Sequence, residues 1–562
     1  MKLKLIIFSV LFLCNKVNAQ NFDNFKEKDP FSYSGNVTIG TSFYNAEGRE
    51  NRRNPFAYYI SASPTISIYE IDIPISFTYR DQQGSVSNPF QRFTINPSYK
   101  WIKLSVGNTS LDLSSYTLSG QYIKGAAIEL TPENFRIKAA YGELENPLAQ
   151  IDTLLEGPLL LPTYKRKAAA VSIGYGSMNN YIDLIFFKAK DDVKASDIPA
   201  INQNLIKPEE NIVVGTSFAV SPINQLYIKA NVGASAHTAN QESASEFNYT
   251  DSNNSLGRLE NAFTVNLSSK LQFAGNASIN YKFKKIGIGF DYKRVDPLYK
   301  SLGTYYFQED YQNFTMTLNF SALNNKVRFR GSAGIQENNL SKLRSSTRKR
   351  KIFNGNLTLM PSRTFTTSLR MANFTSDKTP VLNTLNDSIQ FTQTTETYSI
   401  TPVYSILGDN INSTFIAMVN YQKLVDLGLS FTEARLVDNY IANLSYSMYL
   451  KATKLAITTS LLGNRNMIAG NENSRLGATV TASKKFFDNK LSVSTNVGFT
   501  RNFINKIIDG NTITGNIGLR YNVKRTISIG FNTNILHRKS DIESYRELRG
   551  TAKVSYQFNS KK

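Results

Sequence analysis

The sequence predicts an all-β fold, a single large antiparallel β-barrel that crosses a membrane with about 26 strands, within a range of roughly 16–26. Three observations support this fold class. Apolar and polar residues alternate over long stretches, very short turns alternate with longer polar loops, and no run approaches about 18 consecutive apolar residues. The last observation excludes membrane helices. It does not exclude a barrel, whose lipid-facing and lumen-facing residues average to a polar composition.

The clearest strand lies at the end of the chain. One face carries Leu548, Gly550, Ala552, Val554, Tyr556 and Phe558. The other face carries Arg549, Thr551, Lys553, Ser555 and Gln557. A strand tilted by about 45° needs roughly 9–11 residues to cross a membrane, and this alternation is long enough to do so.

This last strand resembles the closing strand of integral outer-membrane β-barrel proteins of Gram-negative bacteria. Their final strand typically ends in an aromatic residue that the barrel assembly machinery recognises, and Tyr556 and Phe558 match that pattern. Two features depart from it: Gly550 lies further from the end than usual, and residues 559–562 follow as a tail. The resemblance implies an architecture, an outer-membrane location and the assembly machinery as a partner during biogenesis, but no particular function.

The start of the chain predicts export. Lys2 and Lys4 precede an apolar stretch from Leu5 to Leu13, and Val17-Asn18-Ala19 form a small-residue cleavage signal. We expect residues 1–19 to be a cleaved signal peptide, 20–30 a short periplasmic segment and 31–558 the barrel. Cys14 is the only cysteine. The bulky Leu13 before it argues against a lipid anchor, and the mature chain would then contain no disulfide.

Hairpins recur along the chain. Short turns are predicted at Tyr69-Glu70, Lys100-Trp101, Thr131 to Asn134, Lys284-Lys285 and Lys524-Arg525. A two-residue connection forces antiparallel neighbours and keeps both apolar rows on one face. An even strand number places both barrel ends in the periplasm, with short turns there and longer loops outside. At about 21 residues per strand, the barrel leaves no room for a plug domain.

Four loops are long: 109–121, 143–163, 191–210 and 238–257. The second contains the apolar stretch from Leu154 to Pro162. This stretch either packs into the lumen or against a partner, or begins a lipid-facing strand. The basic run from Lys342 to Lys351 either meets lipopolysaccharide phosphates or is a solvated loop.

A barrel of about 26 strands is roughly 50 Å across at the backbone, too wide for side chains to fill. Water, loops or another polypeptide must occupy it. Its inward faces carry many cations: Arg80, Lys103, Arg136, Lys138, Lys229, Lys282, Arg328, Arg330, Arg370, Arg520 and Lys553. Asp72, Glu129 and Asp291 are among the few acids there. The cations either favour anions in the lumen or pair with loop acids and stiffen the wall.

The net charge of +21 either favours lipopolysaccharide, anionic solutes or acidic envelope proteins as partners beside the outer-membrane lipid, or only helps solubility. Nucleic acid is not expected, because the chain is exported and has no base-stacking motif. His237 and His537 are the only histidines, and nothing near them resembles a metal site or a catalytic triad. We therefore expect no enzyme activity, no metal and no cofactor.

Two functions remain from the sequence. The first is a subunit of an outer-membrane machine for secretion, assembly or export, favoured by the wide lumen and the apolar loop. The second is a free-standing channel for anionic solutes, favoured by the cationic lumen.

Overall fold

The computed structural model describes residues 30–81, 92–145, 163–177, 179–194, 206–243, 261–305, 308–380, 391–428, 435–468, 470–541 and 543–560. Every regular element in these ranges is a β-strand. No helix in them is long and apolar enough to cross a membrane. The predicted signal peptide at 1–19 and the apolar stretch from Leu154 to Pro162 lie outside the described residues.

The strands of the first half are β1 (Phe31–Glu47), β2 (Phe56–Ala62), β3 (Thr65–Ile68), β4 (Ile71–Arg80), β5 (Arg92–Ile95), β6 (Ser98–Tyr99), β7 (Ile102–Ser110), β8 (Leu118–Ser119), β9 (Tyr122–Leu130), β10 (Phe135–Glu145), β11 (Lys165–Ser177), β12 (Asn180–Asp192), β13 (Glu210–Ile223), β14 (Leu226–Thr238) and β15 (Ser269–Phe283).

The strands of the second half are β16 (Ile286–Val295), β17 (Gly303–Thr304), β18 (Tyr311–Ala322), β19 (Val327–Asn338), β20 (Ser346–Leu359), β21 (Phe365–Pro380), β22 (Phe391–Leu407), β23 (Ile411–Gly428), β24 (Arg435–Leu450), β25 (Leu455–Ile468), β26 (Asn471–Phe486), β27 (Leu491–Ile504), β28 (Ile507–Lys524), β29 (Ile527–Ser540) and β30 (Tyr545–Asn559).

The sheet closes on itself, because β1 pairs antiparallel with β30 from Ser34–Asn559 to Glu47–Arg546. It contains 28 segments, but β2 with β3 and β5 with β6 are each one interrupted strand. The interruptions fall at Pro64 and Pro97, residues that cannot donate a ladder hydrogen bond. Counting each interrupted strand once leaves 26 passes, which confirms the predicted fold class.

The two ends of the barrel differ. We call one the turn end, because it carries tight turns such as Tyr69–Glu70, Lys100–Trp101 and Lys284–Lys285; the other is the loop end. The last predicted turn lies at Arg525–Thr526, one residue later than expected, because β28 continues to Lys524. β1 begins at the turn end and β30 ends there, so the barrel has an even number of passes.

The outer face of the wall is apolar and exposed. On β28 the exposed residues Ile513, Ile517, Leu519 and Tyr521 share this face. Leu519 pairs with Phe531, and Tyr521 pairs with Ile529. Aromatic rings form rows on it. Near the turn end the Phe415 and Tyr446 rings lie 4.5 Å apart, and further along these strands Tyr421 and Tyr440 lie 4.8 Å apart. A lipid-facing apolar surface with aromatic rows is typical of outer-membrane barrels.

Two segments fold from the loop end onto the inner wall. Residues 111–121 follow β7 and residues 296–305 follow β16; together we call them the inner lining. They meet where β8 pairs in parallel with β17. Gly215 and Gly233 on the wall leave space for them, since a β-carbon there would contact Thr117 and Tyr299, respectively. Of the three predicted contents of the lumen, inward-folded loops are therefore present.

Candidate functional site: the inner wall of the barrel

The inner lining is fixed to the wall by Asn211 of β13, whose side chain is fully buried. Its Nδ2 donates to Ser235 Oγ at 2.8 Å and to the Ala236 carbonyl at 2.9 Å. Its Oδ1 accepts a hydrogen bond from the Leu302 amide at 3.1 Å. Ser235 Oγ also donates to the Lys300 carbonyl at 2.6 Å. Because these buried polar groups are hydrogen-bonded to one another, they hold residues 296–305 in one position on the wall.

A charged cluster holds the lining at the loop end. Lys300 Nζ lies 2.5 Å from Glu209 Oε1, and His237 Nε2 lies 3.7 Å from the same oxygen. Arg166 Nε contacts Asp191 Oδ1 at 2.6 Å, and its Nη2 reaches Glu209 Oε2 at 3.3 Å. Burial raises the pKa of Glu209, but contacts with His237 and Lys300 outweigh burial and lower it to about 2.

Tyrosines join the two halves of the lining. The Tyr299 hydroxyl donates to the Tyr116 carbonyl at 2.7 Å, and the Tyr116 hydroxyl donates to Asn276 Oδ1 on the wall at 3.0 Å. Their rings lie edge to face, with centroids 6.4 Å apart. Burial raises the pKa of both tyrosines, so the hydroxyls remain donors. Ser301 Oγ adds a bond to the Thr117 carbonyl at 2.5 Å.

Residues 109–121 were predicted only as a long loop. One signal was available: Leu111, Leu113, Tyr116 and Leu118 make this stretch more apolar than a solvated loop requires. The sequence of the second segment, residues 296–305, gave a weaker indication of inward folding, because its apolar residues Tyr299 and Leu302 are separated by polar residues. Its partners come from strands far away in the sequence.

Three of the predicted lumen cations are neutralised by acids of the wall. Lys103 Nζ lies 2.8 Å from Glu129 Oε1, and Lys138 Nζ lies 3.6 Å from the other carboxylate oxygen. Arg136 Nη2 lies 2.8 Å from Asp183 Oδ1. These acids belong to β9 and β12, not to the loops from which pairing was expected. Arg80 instead has its guanidinium 6.0 Å from the centre of the Tyr59 ring.

The other predicted lumen cations have no carboxylate at ion-pair distance within the described part of the chain. This set contains Lys229, Lys282, Arg328, Arg330, Arg370, Arg520 and Lys553. All except the half-exposed Lys229 are exposed. Because side chains alternate along a strand, these cations face the lumen while adjacent residues such as Phe283, Phe329 and Val554 face the lipid. Their role in selecting anions stays a prediction.

Lys282, Arg328 and Arg330 line one recess near the turn end with a volume of about 500 Å³. Its other polar lining comes mainly from Asn319, Asn356 and the turn residues Lys284 and Lys285. The barrel register explains the grouping. Lys282 pairs with Gly287, which pairs with Asn319, and Asn319 pairs with Arg330. These cations could be predicted from the sequence, but their grouping could not, because it depends on the register of four strands.

Tyr556 and Phe558, the predicted assembly signal, lie on the outer face of β30 at the turn end. Their ring centroids are 5.8 Å apart, and the Phe558 ring lies 6.0 Å from that of Tyr33 on β1. A β-carbon on Gly35 would lie 2.7 Å from Phe558 Cζ. Recognition by the assembly machinery remains a prediction.

The remaining sequence features carry little chemistry. The basic run is not a single loop, because Ser346 to Lys351 begin β20. His237 and His537 lie on β14 and β29. In the ranges that the structure describes, no group of three or more His, Cys, Asp or Glu residues has a metal-binding arrangement.

No protein-family profile matches the chain, and no curated protein matches it in sequence. Solved structures resemble it in fold. The translocation pore of the P pilus usher PapC has a TM-score of 0.36 at 10% identity, covering 94% of this chain and 100% of the pore. OprD of Pseudomonas aeruginosa has a TM-score of 0.30 at 9% identity, covering 70% of this chain and 95% of its own.

OpdK of Pseudomonas aeruginosa, solved with vanillate, has a TM-score of 0.32 at 9% identity over 63% of this chain and 93% of its own. The likeness concerns the fold alone and does not choose between secretion and solute transport. The closed sheet and its exposed apolar outer face, by themselves, make the chain a β-barrel of the outer-membrane type.

Proposed function

We propose that the chain is a barrel subunit of an outer-membrane machine for secretion, assembly or surface export. In this proposal, another envelope polypeptide occupies or passes through the lumen. The partners also include the surrounding outer-membrane lipid and lipopolysaccharide, and the barrel assembly machinery acts during biogenesis.

The width and accessibility of the lumen support this proposal most directly. A barrel of 26 passes encloses far more space than the roughly 16–18 strands that form a solute pore. The inner lining covers the wall from β9 to β16. Elsewhere the inner wall presents exposed polar residues, including Asn354, Asn356 and Arg370. This surface is wide enough for a polypeptide.

Crosslinking from the inner wall tests the proposal. A photoreactive amino acid replaces Asn354, which is exposed on the inner wall, and in a matched control replaces Leu476, which is exposed on the lipid face. Irradiation in cells should give a discrete protein adduct from position 354 and none of the same size from position 476. Co-purification in mild detergent should recover the same protein.

Migration as a lone barrel on a native gel, with no adduct from position 354, would refute the machine hypothesis. A shared adduct from both positions would indicate collision in the membrane and would count equally against occupancy of the lumen.

A second candidate is a free-standing channel for anionic solutes. The exposed inner-wall cations without carboxylate partners in the described residues favour it, since their positive potential attracts anions. Steady, anion-selective conductance from the isolated barrel in a planar bilayer would support the channel. A conductance without ion preference, or none, would count against it.

A further inference from the structure

We propose that the inner wall at the turn end contains a discrete site for a ligand bearing several oxyanions, carboxylate or phosphate. Lys282, Arg328, Arg330 and Arg370 form it, and we call these four residues the basic arc. This inference deepens the proposed function, since it rests on a ligand reaching the lumen from the turn end.

The barrel register brings the arc together. One cross-strand row runs Lys282, Gly287, Asn319, Arg330, Asn356 and Arg370. At about 4.8 Å per strand, Arg330 lies about 10 Å from Arg370 and about 14 Å from Lys282 along the wall. Arg328 lies two residues closer to the turn on the same face as Arg330. A ligand that satisfies the arc must therefore carry more than one anionic group.

The amides between the cations complete the recess. Asn319 and Asn356 are both lining residues and alternate with the cations in the row. A β-carbon on Gly287 would lie 2.7 Å from Asn319 Oδ1, so the glycine lets this amide lie over the wall. Amide donors beside guanidinium groups suit oxyanions, because carboxylates and phosphates accept several hydrogen bonds at once.

The charge balance of the arc is the main argument for a ligand. Elsewhere on the same wall, Lys103, Lys138 and Arg136 each have a carboxylate within 4 Å. None of the four arc residues has one among the described residues, and the exposed turn lysines Lys284, Lys285 and Lys326 add further positive charge. Lys282, Arg328 and Arg330 share one partly enclosed recess, and Arg370 lies beyond it along the same cross-strand row. Like charges placed so close repel each other, and a bound polyanion would relieve that repulsion.

Arginine gives the arc geometric selectivity. The guanidinium group presents two parallel N–H donors that match a carboxylate or a phosphate, whereas lysine acts as a point charge. Arg328 and Arg330 should therefore contribute both charge and orientation. A variant with lysine at both positions separates these contributions.

Binding to the purified full-length barrel in detergent tests the site. The probes are a deca-glutamate peptide and citrate, with deca-lysine as the control probe. We expect the double variant R328Q/R330Q to weaken anion binding at least tenfold, and R328K/R330K to retain an intermediate affinity. The matched control R520Q removes one exposed inner-wall arginine outside the arc and should change the affinity less than twofold.

The outcomes separate a site from a general positive potential. Equal loss in R328Q/R330Q and R520Q, or no binding of either anion by the unmodified barrel, overturns the inference. If citrate and the peptide bind with equal affinity per negative charge, the natural ligand is a small anionic solute. If only the peptide binds, the natural ligand is an acidic polypeptide. The experiment uses the isolated barrel, so its result does not depend on a machine partner. The anion site can be confirmed even if no partner is found, and it can be refuted even if a partner is found.

Discussion

Phe43 and Gly550 face each other in the pairing of β1 with β30, and the Phe43 ring lies where a β-carbon on Gly550 would be. The ring also stacks on Phe531 of β29, with centroids 6.4 Å apart. One aromatic side chain thus spans three strands at the closure. An aromatic ring that covers a strand glycine strengthens a pairing that the glycine itself weakens.

Replacing Gly550 should therefore weaken the closure. In Gly550→Val the new side chain displaces the Phe43 ring, and overpacking of this kind destabilises by about 1–3 kcal/mol. We expect the variant to lose its folded, heat-modifiable gel mobility at a lower urea concentration. Gly515→Ala is the matched control, since its β-carbon would meet only Ile535 Cβ at 4.0 Å. Equal sensitivity of both variants would show that the closure has no special role.

The buried Asn211 should control the position of the inner lining. In Asn211→Leu, the Leu302 amide loses its acceptor and the Ser235 and Lys300 contacts are disrupted, which costs about 1–3 kcal/mol per unsatisfied group. Residues 299–304 should then exchange amide hydrogens faster while the barrel strands stay protected. Asn354→Leu alters an exposed inner-wall asparagine and should leave exchange in 299–304 unchanged. Unaltered protection in Asn211→Leu would refute this anchoring role.

The sequence was sufficient to predict the barrel but not its interior. Period-two alternation is a local property that lipid imposes on every strand, so β30 and the turns at Tyr69 and Lys284 could be predicted from neighbouring residues. The Arg136–Asp183 pair depends on the register of three strands, with Gly174 between the two residues. The lining likewise depends on Asn211 and Gly233, remote in sequence from Tyr116.

The Glu209 cluster predicts a dependence on pH. The pKa of Glu209 is about 2 in the folded chain and about 4.3 in an unfolded chain. Because the folded pKa is the lower one, the ionised Glu209 stabilises the folded lining. This stabilisation is fully present above about pH 4.3 and is lost as the pH falls towards about 2. The Lys300 tether should thus hold equally at pH 7 and pH 5 and weaken at pH 3.

A spin label reports this tether. Tyr305 is 72% exposed, and the chain has no cysteine apart from Cys14. Tyr305→Cys therefore gives a label at the end of the lining. Its spectrum should match at pH 7 and pH 5 and become more mobile below pH 4. Adding Glu209→Gln should give the mobile spectrum already at pH 7, whereas Glu242→Gln, at an exposed glutamate outside the cluster, should not. A spectrum that stays unchanged down to pH 3 would contradict the assigned cause.

Phe558 combines a structural contact with the predicted assembly signal, and the two roles can be separated. Phe558→Ala removes the contacts with Gly35 and Tyr33. A modest loss of stability in detergent is therefore expected whether or not Phe558 is also an assembly signal. If Phe558 is also recognised by the assembly machinery, folded barrel in cells should fall far more than refolding yield in detergent, and Phe558→Tyr should restore it. Val554→Ala shortens an exposed lipid-facing residue of β30. This control should strongly lower neither the amount of folded barrel in cells nor the refolding yield in detergent. Parallel losses in cells and in detergent would leave Phe558 with a packing role alone.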